Sequence, residues 1–79
     1  MNDKLRRAFE ELHEELRRLG PENPELRVLQ EKTIQAIESG EHLPVVEELR
    51  KASRIFEVRH PDLTALINNV LNALSGLGI

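Results

Sequence analysis

The chain has 79 residues, with 11 basic and 14 acidic side chains, a formal net charge of -3 and a hydrophobic content of 39%. A chain this short makes one small domain over residues 1–79; it closes off only about 60% of its unfolded surface, so it gains from a neighbouring subunit. The absence of cysteine excludes a disulfide framework, thiol catalysis and cysteine-based zinc sites and fits a reducing cytoplasm, while the acidic balance and the lack of Trp and Tyr argue against a protein devoted to phosphate backbones or base stacking.

The opening Met1-Asn2-Asp3-Lys4 has no apolar run of the kind a secretory signal needs. A first helix is predicted over residues 3–19, because Leu5, Phe9, Leu12, Leu16 and Leu19 recur at steps of four and three with charged side chains around the rest of the circumference. Gly20-Pro21 stops it: Gly accepts the left-handed conformation past a helix end, and Pro cannot extend the hydrogen-bond ladder. Asn23-Pro24-Glu25 opens a second helix, predicted over 24–39. Here Asn takes free amide hydrogens, Pro pre-sets the first dihedral, and Glu meets the positive end of the helix dipole. Its inward set reads as Leu26, Leu29, Ile34 and Ile37, with Gln30 and Thr33 beside them, and Ser39-Gly40 ends it.

Pro44 starts a third helix, predicted over 44–59, which turns Val45, Val46, Leu49, Ala52 and Phe56 inward while Ile55 and Val58 widen the apolar surface on one flank. The break at His60-Pro61 follows from the exclusion of the residue before proline from the α region, and Pro61-Asp62 restarts the chain as a fourth helix over 61–75. No segment favours a strand.

The fourth helix differs in kind. Leu63, Leu66, Ile67, Val70, Leu71, Leu74 and Leu77 span an arc of roughly 140°, and residues 63–79 carry no charge. The opposite strip, Thr64, Asn68, Asn72 and Ser75, is polar but uncharged, which predicts a helix enclosed on two or more sides, the most buried of the four. Phe56, Leu66, Ile67, Val70, Leu74 and Leu77 are the candidate interface. His60, Asn68 and Asn72 are candidate capping or register residues, since a buried Asn pair fixes register between helices. The uncharged run is shorter than the roughly 20 residues that span a bilayer, so no membrane anchor is expected.

The junction Arg54-Ile55-Phe56-Glu57-Val58-Arg59-His60-Pro61-Asp62-Leu63 and the ending Leu74-Ser75-Gly76-Leu77-Gly78-Ile79 resemble the domain-of-unknown-function 4404 family, with its F-E-x-x-H-P-x-L core and L-x-x-M-G-I ending. Leu77 stands where that family usually has Met. The leucine- and glutamate-rich first helix is similar as well. The resemblance implies a bacterial, cytoplasmic, all-helical protein and brings no activity, cofactor or catalytic residue with it.

The sharpest chemical candidate is a pair of Glu-x-x-His motifs, Glu10 to His13 and Glu57 to His60, of the kind that four-helix di-iron proteins combine with a Glu from each remaining helix, here Glu31 and Glu38. Geometry opposes it: with Leu5 as reference, His13 projects at roughly 80° and Glu10 at roughly 140°, away from the apolar seam, and His60 sits at a helix boundary. His13-Glu14 is half a zinc-protease motif, but Arg17 occupies the position of the second His. There is no phosphate loop and no nucleophile elbow. The basic clusters Lys4-Leu5-Arg6-Arg7, Arg17-Arg18 and Arg50-Lys51 with Arg54 lie among acids and read as solvated helix faces.

The sequence therefore predicts an all-α antiparallel bundle of four helices with no catalytic residue, metal or cofactor. Its expected role is a non-enzymatic interaction module that forms a homo-oligomer, preferably a dimer, through helices three and four, or engages an unidentified protein partner. The alternative is a small nucleic-acid-binding regulator working through its Arg-rich faces.

Overall fold

A computed structural model of the chain describes residues 2–20 and 22–78 and is all-helical among them. The helices are α1 (Asp3–Leu19), α2 (Pro24–Ser39), α3 (Leu43–Ile55) and α4 (Pro61–Gly76). Pro21, part of the first stop signal, and Ile79, the last residue of the family-like ending, lie outside the described residues.

Two asparagines start helices by the same device. Asn2 Oδ1 accepts from the Leu5 amide at 2.8 Å, and Asn23 Oδ1 accepts from the Leu26 amide at 2.9 Å, each satisfying a donor that has no partner within its helix. Gly20 and Gly40, both at φ 76°, stop α1 and α2, and their amides donate to Leu16 and Ala36 carbonyls at 3.0 and 2.9 Å. A positive φ is a region that a Cβ disfavours, so glycine is the residue that fits at both ends.

In α2 the inward set differs from the sequence expectation. Leu26, Leu29, Thr33 and Ala36 are buried, at steps of three, four and three, whereas Ile34 and Ile37 are half-buried. Thr33 can hold a core position because its hydroxyl donates to the Leu29 carbonyl at 2.7 Å, which removes the cost of burying it. The apolar pattern concealed a seam that runs through a threonine.

α3 also departs from expectation, ending at Ile55 rather than at residue 59, and Ile55 and Val58 face solvent. The restriction that Pro61 places on His60 forces the chain out of the helix, and one turn over residues 56–59 absorbs the change of direction. The His60 amide closes that turn on the Phe56 carbonyl at 2.9 Å. This leaves Phe56 at the corner with its ring in the core and Val58 outside it.

Each helix packs on two others, α1 on α2 and α4, α3 on α2 and α4, and neither diagonal pair meets among the described residues. The start of α2 (Pro24, Val28) lies beside the middle of α3 (Glu48, Lys51), and the second half of α1 (Glu11, Arg18) lies beside Leu66 of α4. The α1–α2 and α3–α4 connections share one pole, with Asn23 and Glu25 beside Phe56 and His60. The result is an antiparallel up-down-up-down bundle around a single core. No helix among the described residues is long and apolar enough to cross a membrane.

Candidate interaction surface

The Phe56-Glu57-x-x-His60-Pro61 element forms the corner between α3 and α4. Phe56 is buried, and the His60 ring meets it edge-on with centroids 5.6 Å apart, a favourable aromatic geometry. His60 makes no side-chain cap; instead its carbonyl accepts from the Thr64 amide at 3.0 Å and the Thr64 hydroxyl at 3.1 Å. Of the two roles expected for His60, the geometry supplies the packing and not the cap. Glu57 is exposed, so Glu57 and His60 do not converge on one inward face.

Within α1, beside the groove it forms with α4, Arg18 donates from Nε and Nη2 to the two Glu15 carboxylate oxygens at 2.9 and 2.7 Å. That two-point bond, helped by the guanidinium charge and by the nearby His60, holds the Glu15 carboxyl below its ordinary value. A depressed folded value means that the pair's contribution is complete above the ordinary carboxylate range and lost as pH falls through the lowered value. Glu15→Gln should therefore destabilise the chain near neutrality and converge with the native protein in acid. Urea midpoints from about pH 7 to about pH 3 check this, and parallel curves would exclude a linked carboxyl at residue 15.

Glu10 is exposed and His13 half-buried, as expected of a surface pair, and among the described residues no three His, Cys, Asp or Glu side chains cluster as metal ligands. The basic clusters are exposed too; Arg17 lies 3.5 Å from Glu14, and Arg18 is tied to Glu15.

The candidate interface residues divide. Phe56, Ile67, Val70 and Leu74 are 3%, 0%, 0% and 2% exposed, so the chain uses them for its own core and they are not available to a partner. Leu66 is half-buried in the α1/α4 groove, and Leu77 is exposed at the end of α4. α4 contributes the most buried residues of any helix, yet its polar strip is not enclosed within the chain: only Thr64 is buried, while Asn68, Asn72 and Ser75 face solvent. A helix at the corner of a square has two neighbours, which cover about half its circumference. Asn68 Oδ1 accepts from the Ser53 hydroxyl of α3 at 3.0 Å, whereas Asn72 has no such tie among the described residues.

Sequence reasoning missed two features. Ala65, Asn69, Asn72 and Gly76 recur at steps of four, three and four along the exposed centre of α4, an uncharged stripe that spacing alone could have shown. His42, read only as part of a loop, lays its ring against Phe9 with centroids 6.0 Å apart and an interplanar angle of 24°. Its Nε2 is buried without a hydrogen-bond partner among the described residues. No local pattern signals that contact, because it joins the α2–α3 turn to the middle of α1.

The helical corner, the asparagine-capped starts and a last helix without charge after Asp62 thus run through one continuous bundle. Comparison with the curated proteins and with the solved structures finds no match to this chain. The family model that does match, Domain of unknown function (DUF4404), covers residues 5–79 and so takes in the Phe56-Glu57 and His60-Pro61 corner together with all of α4, and the chain belongs to that family.

Proposed function

We propose that the chain is a non-enzymatic helical module that works by self-association, with the outer face of α4 in the contact. One observation carries this reading. Residues 63–79 have no charge although Ala65, Asn69, Asn72 and Gly76 face solvent, in a chain that is 32% charged. A solvated helix gains from charged side chains, and the centre of a protein interface is where they are depleted. Small side chains at this spacing let a second helix approach closely, and the amides of Asn69 and Asn72 can set its register. A site of action in the reducing cytoplasm goes with the lack of cysteine.

Gel filtration with light scattering tests the reading. The native chain is expected to run above its 9.1 kDa monomer mass at tens of micromolar. Asn72→Lys should return it to the monomer with unchanged helicity, because residue 72 touches water and not the core. A native chain that is strictly monomeric at that concentration defeats the proposal.

A further inference from the structure

We propose that the occupant of this surface is a second copy of the chain, held with α1 antiparallel on its counterpart by a self-complementary order of charge. The proposal rests on the self-association reading and names its geometry. Lys4, Arg7, Glu11, Glu14 and Arg18 recur at steps of three and four along α1, and all five are exposed. Glu11, Glu14 and Arg18 border the groove that α1 forms with Leu66 of α4, so the stripe lies on the α1/α4 side of the bundle. Its first four charges run plus, plus, minus, minus. Such an order is its own complement when one copy is turned end for end. A two-fold axis crossing α1 at the level of Phe9 sets Lys4 opposite Glu14 of the second copy and Arg7 opposite its Glu11, and the symmetry repeats both pairs.

The helix by itself does not ask for this order. A lone helix gains from acids in its first turns and from a Glu placed four residues before a base. α1 follows that rule at Asp3 and at Glu14 before Arg18, but it also sets Lys4, Arg6 and Arg7 near its positive end and Arg7 four residues before Glu11. Among the described residues Lys4 and Arg7 form no ion pair within the chain, whereas Arg17 and Arg18 at the other end do. The helix dipole disfavours Lys4 and Arg7 where they stand, whereas the acids of a second copy would favour them.

The same rotation accounts for the lack of charge in α4 after Asp62. Arg18 lies near Asp62, and the two helices run antiparallel, so the level of Phe9 falls between Asn69 and Asn72 of α4. A side chain beside a two-fold axis meets its own copy: a charge there would face a like charge, while an amide can both donate and accept. The bundle measures 30 × 21 × 18 Å and exposes 5047 Å². One of its four long faces offers roughly the 800 Å² per partner of a standard interface.

Two variants of the intact chain test the pairing. K4E/R7E makes the stripe acidic up to residue 14, and E11K/E14K makes it basic over the same residues. Each alone should be helical by circular dichroism and monomeric by light scattering, with self-affinity weakened by about 100-fold or more, since every pair becomes repulsive. An equimolar mixture should recover a dimer holding one copy of each. If a double variant loses helicity, R7E and E11K give the same comparison with fewer pairs. A monomeric native chain overturns this inference together with the self-association reading. A native dimer that the reversals leave intact, or a mixture that stays monomeric, overturns the charge-ordered pairing alone.

Discussion

Leu74→Asp is expected to unfold the chain rather than to separate subunits. Leu74 lies in the last turns of α4 and is 2% exposed, in one core with Leu63, Ile67 and Val70. The substitution removes a buried apolar side chain, worth about 1.5–3 kcal/mol of transfer free energy. It also places a carboxylate in the apolar core, which costs several kcal/mol more whether the group stays charged or takes up a proton. A chain of this size has about 4–12 kcal/mol of stability to lose. Circular dichroism should show the helical signal gone and no cooperative melt. Asn72→Asp, two residues earlier on the exposed side, is the control and should leave the monomer's melt nearly unchanged. A folded Leu74→Asp monomer would contradict the packing of α4.

Phe9→Ala should give the largest loss among substitutions that leave the core apolar. Phe9 is fully buried in the middle of α1, and the His42 ring stacks on it from the α2–α3 turn. Truncation removes the ring's transfer free energy and leaves a cavity with rigid walls, a combination that costs about 3–5 kcal/mol. The urea midpoint should fall steeply with the slope unchanged, because the surface exposed on unfolding stays nearly the same. His42 also loses the only ring it stacks on among the described residues, so the α2–α3 turn should gain amide exchange beyond the global effect. A loss below about 1 kcal/mol would mean that the pocket collapses around the gap, which a close-packed interior resists.

Much of this architecture was legible in the sequence, and the exceptions have physical causes. The seam of α1 could be read residue by residue because charged side chains occupy almost every position around it. Asn23-Pro24 and Gly40 marked boundaries through stereochemistry that does not depend on the rest of the fold. α2 was misread at Ile34 and Ile37 because hydrophobicity ranks isoleucine above threonine, whereas helical phase and a hydroxyl bonded to Leu29 put Thr33 inside. The end of α3 was placed four residues late since the influence of Pro61 reaches back through a whole turn to Phe56. For the surface, the missing charge on α4 after Asp62 was visible but its meaning was not. Apolar spacing cannot separate a residue that packs against its own chain, such as Ile67, from one that waits for another, and only the square arrangement of helices divides them.

The antiparallel course of α1 and α4 brings residues 2 and 78 to the same pole, beside the α2–α3 turn and away from the Phe56–His60 corner. In a dimer built by turning one copy end for end, these poles point in opposite directions, separated by the 30 Å length of the bundle. Cargo fused to either terminus would then hang from the two far tips of the particle, so that pairing makes a short rigid bridge. A fluorophore on each copy would report that span directly by energy transfer.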